Sequence, residues 1–115
     1  MSARIIFHMA PAERWTMWPA HEPYVPAEFA VDGFVHCTEG EELMVRVANA
    51  LYRGTPGDFV LLVIDVERLT APVRWERPAG TPLAPLFPHI YGPINPEAIV
   101  EVRRIERDVD GAFLL

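Results

Sequence analysis

Apolar and polar residues change period several times along the chain. Ile5-Ile6-Phe7-His8 is a short β-branched and aromatic run that suits a strand over residues 4–9, ended by Ala10-Pro11. Residues 12–18 fit one or two helical turns carrying Glu13, Trp15 and Trp18 before Pro19 stops them. His21-Glu22-Pro23-Tyr24-Val25-Pro26 is excluded from regular helix, because a residue before proline is driven to extended geometry. This stretch predicts a loop that packs Tyr24 and Phe29 on the body and leaves His21 at the surface. Asp32-Gly33 turns the chain into Phe34-Val35-His36, where alternation puts Phe34 and His36 on one face.

The spacing of Leu43, Met44, Val47, Ala48 and Leu51 predicts the one long helix, about residues 39–53. Thr38-Glu39-Gly40-Glu41 in front of it matches a capping box, with Thr38 accepting from the Glu41 amide, and Gly54 is the expected left-handed terminator. Asp58 to Val66 is apolar on both alternating faces, as a central strand is. Val73-Arg74-Trp75-Glu76 predicts a short strand, and residues 98–105 a half-exposed one, followed by a turn at Asp110-Gly111. Between them, Pro78 to Pro96 holds six of the twelve prolines and predicts a long loop that contains His89 and Tyr91. Strands outnumber helices, so the fold class is α+β with mainly antiparallel sheets in a single domain spanning 1–115.

Composition narrows the class. With 115 residues, half of them apolar, the chain is long enough for one core. A formal charge of -6 with scattered arginines argues against nucleic acid as a partner. The absence of a charged-then-apolar leader and of any run near 20 apolar residues argues against a membrane and for the cytoplasm. A lone cysteine, Cys37, leaves no intramolecular disulfide; three nearby glutamates oppose its thiolate, so an inert thiol is expected. Phosphate-loop and dinucleotide glycine fingerprints are absent.

The candidate chemistry lies in three strings that each bring a histidine to a break in regular structure: His8, His36 and His89. Any one alone reads as a buried histidine bonded to backbone. Three together predict a shared site, since neutral imidazoles grip ribose hydroxyls or position water. Tyr91, two residues beyond His89, shares its face in an extended segment and offers a ring for stacking. Thr38 has its own role as cap, with ligand contact secondary. Glu76 and Glu101 carry little promise as general bases, Glu76 being expected to pair with an arginine and Glu101 to face solvent. A metal site on the histidines lacks any recognised ligand spacing.

The strings Ile-Ile-Phe-His-Met, Asp-Gly-Phe-Val-His-Cys-Thr, Val-Ala-Asn-Ala-Leu-Tyr, Arg-Trp-Glu and Phe-Pro-His-Ile-Tyr-Gly-Pro-Ile resemble those of the DUF952 family of small bacterial proteins, in that family's order and over nearly the whole chain. That resemblance implies a split two-sheet core similar to the ADP-ribosyltransferase and RNA 2′-phosphotransferase fold, with a cleft for NAD or an ADP-ribose-like group. It implies His8 and His36 as the first two ligand-holding positions, with His89 and Tyr91 closing the cleft. The catalytic roles fall to His36 and His89, and ligand binding to His8, Thr38 and Tyr91. The catalytic glutamate of the classical transferases has no identified counterpart. The expected ligand is a nucleotide-like small molecule, with NAD as substrate and no resident cofactor; the alternatives are a non-catalytic binding module of the same fold and a histidine-based metal-dependent hydrolase.

Overall fold

The computed structural model describes residues 3–78 and 80–115. Its order is strand β1 (Ile5–Pro11), helices α1 (Ala12–Met17) and α2 (Phe29–Asp32), strand β2 (Val35–His36), helix α3 (Glu41–Tyr52), then strands β3 (Phe59–Asp65), β4 (Val73–Glu76), β5 (Phe87–Ile90), β6 (Ile99–Arg107) and β7 (Phe113–Leu114). The architecture is α+β: one sheet has the order β1-β3-β6-β7 and the other β2-β5-β4, and every pairing is antiparallel. Among the described residues no helix is long and apolar enough to cross a membrane.

Strand alternation divides the core into two. Ile6 and Ala10 of β1 join Leu62 and Ile64 of β3 on the face turned to the second sheet, where they pack with Val35, Ile90, Ile94 and the buried Tyr24. Phe7 and Met9 join Phe59, Leu61 and Val63 on the opposite face, under Met44 and Ala48 of α3. The central position of β3, flanked by β1 and β6, explains its unbroken apolar run. Tyr24 is held by edge contacts from Trp15 and Trp18, so the proline-rich loop is anchored as its sequence suggests. His21 is exposed.

The ends of α3 differ from expectation. Thr38 does not cap it: its amide and carbonyl exchange 2.8 Å bonds with Phe7 of β1, so its backbone belongs to a bridge between strands. The helix instead starts after Gly40, whose φ of 99° favours glycine, and no side chain caps it. The Glu41 carboxylate bonds Arg103, and Glu39 holds Arg4 and the Trp75 indole N–H, so neither closes a capping box. At the other end Gly54 is not left-handed. Arg107 donates to the carbonyls of Tyr52 and Arg53 at 3.0 and 2.9 Å, and to Gly57 and Gly111, supplying from β6 the partners that a glycine cap would have provided. Asn49 docks β7 on α3 by accepting from the Phe113 amide at 2.7 Å.

The predicted loop from 78 to 96 contains β5, the central strand of the second sheet. Pro88 costs the sheet one rung: its carbonyl accepts from Cys37 at 3.1 Å but it has no N–H to return the bond, and β2 ends at His36. Gly92 just beyond is required by space: a Cβ there would lie 2.7 Å from that of Ala71.

Arg107→Ala is expected to lower stability by about 2 kcal/mol, through loss of charge-assisted bonds to helix-end carbonyls. Urea unfolding measures it; an unchanged midpoint would mean that water replaces the guanidinium at no cost.

Candidate functional site

The second sheet turns one face to the core and the other to a cleft of about 930 Å³. Val35, Trp75, Pro88 and Ile90 take the core side, and the alternate residues His36, Glu76, Phe87 and His89 take the cleft side. His36 and His89 are direct cross-strand partners with ring centres 5.4 Å apart. Phe34 lies against them, its ring stacked on His89 at 4.1 Å and tilted on His36 at 4.6 Å and Tyr91 at 5.3 Å. The apolar wall facing this group comes from Phe7 and Met9 of β1 and from Met44, Val47 and Leu51 of α3.

His8 reaches the same cleft from the first sheet. It is 3% exposed, and its Nδ1 lies 2.7 Å from the His36 carbonyl oxygen. A carbonyl only accepts, so Nδ1 carries the proton and donates, leaving Nε2 with a lone pair. That Nε2 is buried and has no partner among the described residues. Burial pushes the His8 pKa below the ordinary histidine value, which keeps the ring neutral.

Two carboxylates complete the arrangement. His36 Nε2 donates to Asp32 at 2.9 Å, across the turn between α2 and β2. His89 Nδ1 donates to Glu76 at 2.8 Å, and the Tyr91 hydroxyl donates to the same Oε1 at 2.5 Å. These bonds, led by that from Tyr91, hold the Glu76 carboxyl below the usual carboxylate range and raise the Tyr91 hydroxyl above its own.

All five residues expected at the site line this cleft: His8, His36, Thr38, His89 and Tyr91. Thr38 does so as part of the bridge to Phe7 and not as a helix cap. His89 does so from a central strand and not from a loop. Glu76 was discounted by sequence reasoning as an arginine partner; it is the carboxylate at the centre of the site. The signal for it was its strand register, since residue 76 pairs with Phe87 and stands diagonal to His89, within reach of a long side chain. Asp32 and Phe34 were also missed, though they flank the string that carries His36. Glu101 is exposed and bonds Arg103. Cys37 is 4% exposed, and burial drives its thiol far above the ordinary value, in keeping with an inert cysteine. Among the described residues no three His, Cys, Asp or Glu side chains are placed to hold one metal ion, so the metal-hydrolase alternative gains no support from geometry.

The chain matches the DUF952 family, described as a protein of unknown function, over residues 9–102. It belongs to that family. Its fold is similar to the crystal structure of protein CC0527 from Caulobacter crescentus, with 27% identity, a TM-score of 0.80, and coverage of 96% of this chain and 94% of that one. The solution structure of the same protein gives 27% identity and a TM-score of 0.74 over 94% of this chain and 90% of that one. No curated protein matches the chain.

A neutral buried His8 fixes a sign for the pH dependence of stability. Below the ordinary value of 6.5 the unfolded chain binds a proton that folded His8 refuses, so the unfolded state holds more protons and stability falls as pH drops. The slope expected from this one group approaches about 1.4 kcal/mol per pH unit. Chemical unfolding from pH 7.5 to 5.0 should show that slope reduced in His8→Gln; an identical slope in the variant would show that His8 protonates freely in the fold.

Proposed function

We propose that this protein binds an NAD- or ADP-ribose-type ligand in the cleft by its ribosylated aromatic end, and that it transfers or releases the ribosyl group. The observation that carries this reading is the Glu76 carboxylate, held anionic by Tyr91 and His89 beside the ring group of Phe34 and His36. The two antiparallel sheets meeting at a cleft are in keeping with the ADP-ribosyltransferase-like arrangement that the sequence strings imply.

The chemistry follows from charge. Breaking the bond from the anomeric carbon to a pyridinium nitrogen sends the electron pair to the base, which departs neutral, and leaves positive charge on the ribosyl ring. An oxygen or nitrogen of an acceptor, or water, then bonds the anomeric carbon and gives up its proton to solvent. A fixed carboxylate beside the anomeric carbon favours the charged state over the ground state, and its hydrogen bonds need no reorganisation as charge develops. Phe34 offers a ring for the leaving base, and the half-exposed His36 a polar group for the sugar. Phosphoryl transfer is less well served, because Arg77 is the one cationic side chain lining the cleft among the described residues.

Thermal-shift titrations with NAD, ADP-ribose and AMP test the binding. Saturable stabilisation of the wild type by NAD is expected, with its loss in His36→Ala. That variant keeps the backbone carbonyl that anchors His8, so it should fold. In Glu76→Gln, binding should persist while release of the base slows by about 10²–10³-fold. Absence of any nucleotide-dependent shift would end this reading; stabilisation without product would leave a non-catalytic module of the same fold.

A further inference from the structure

We infer that the cleft selects a cationic aromatic nucleoside without phosphates, of the N-ribosyl pyridinium class, over a nucleotide carrying a diphosphate. This rests on the ribosyl-binding reading above and concerns which part of such a ligand the site is built for.

The first observation is the polarity of the hydrogen-bonding groups. Each of the three histidines turns one ring N–H to the protein: His8 to the His36 carbonyl, His36 to Asp32 and His89 to Glu76. The Tyr91 hydroxyl proton is also spent, on Glu76. The donors that a phosphate would need are in this way turned to carboxylates of the protein. A ligand that fits brings donors, as sugar hydroxyls and a carboxamide do. A diphosphate brings only acceptors and would face the carboxylates of Asp32 and Glu76.

Formal charge points the same way and is independent of tautomer. Glu28, Asp32 and Glu76 line the cleft against the single guanidinium of Arg77, whose Nε is already turned to the Ala84 carbonyl at 3.1 Å. Arg74, 5.1 Å from the centre of the Tyr91 ring, is a second cation beside Glu76, and the three carboxylates still outnumber the two guanidinium groups. An acidic rim around aromatic faces is a setting for a positively charged flat ring, held by both the carboxylates and the ring quadrupoles. The volume, about 930 Å³, is ample for a nucleoside.

The test is isothermal titration of four probes at low and high salt: nicotinamide riboside, NAD, ADP-ribose and adenosine. Nicotinamide riboside is expected to bind about tenfold more tightly than NAD at low salt, and adenosine and ADP-ribose more weakly still. The gap should narrow in high salt, as screening removes the repulsion of the diphosphate. It should also narrow in Glu28→Lys, a change at an exposed position whose side chain caps nothing. NAD or ADP-ribose binding as tightly as the riboside would overturn the selection and leave the ribosyl-binding reading intact. Adenosine matching the riboside would show that positive charge is not recognised. Failure of all four to bind would remove both the selection and the reading beneath it.

Discussion

The His8 imidazole and the His36 carbonyl form the joint on which the rest of the site depends. Their 2.7 Å bond, with the paired bonds between Phe7 and Thr38, ties the edge strand of one sheet to the edge strand of the other. A strand as short as Val35–His36 would fray on its own, since two residues offer few ladder bonds against the entropy of ordering them. Here it is held on one side by β5 and beyond its end by β1. The carbonyl that His8 takes is one that an edge strand would otherwise leave open to another chain. One side chain therefore closes the edge, fixes the direction of His36 and has its own tautomer set.

The other two imidazoles are each set by a carboxylate of their own. His36 stands directly across from His89, and His89 is oriented by Glu76, which is oriented in turn by Tyr91. Phe34 stacks on the buried His89 ring, while the His36 side chain stays 53% exposed. The cleft thus grades from a rigid, buried floor at His8 to a half-exposed rim at Asp32 and Glu76. His8, which sets geometry, lies deep, where burial disfavours the charged ring. Groups that carry charge lie shallow, where solvation keeps a carboxylate ionised at little cost.

The legible part of the sequence was the part governed by local periodicity. The apolar stripe of α3, the unbroken run of β3 and the turn at Asp110-Gly111 each appear where spacing placed them. The three histidines were also found by their strings, and they do share one cleft. What failed was decided by partners distant in sequence. Thr38 matches a capping box locally, yet Phe7 claims its backbone; Gly54 suits a helix terminator, yet Arg107 reaches the same carbonyls from 54 residues away in the chain. Phe87-Pro88-His89-Ile90 looked like loop because proline is read as a breaker. In the sheet that proline sits at the last rung shared with β2, where its carbonyl still accepts from Cys37 and its ring ends the pairing.

Glu76 shows why a site is harder to read than a fold. Between Trp75 and Arg77 it has an obvious local explanation as half of a surface ion pair, and nothing in its neighbourhood distinguishes it from Glu101 on another strand. The difference arises in three dimensions: Glu101 meets Arg103 two residues along its own strand, whereas Glu76 meets a histidine and a tyrosine delivered by β5 and the residue after it. An arginine partner would leave the carboxylate neutralised by a full charge. Hydrogen bonds from the tyrosine and the histidine hold the Glu76 carboxyl ionised at the edge of the cleft, which is the state that a developing cation requires.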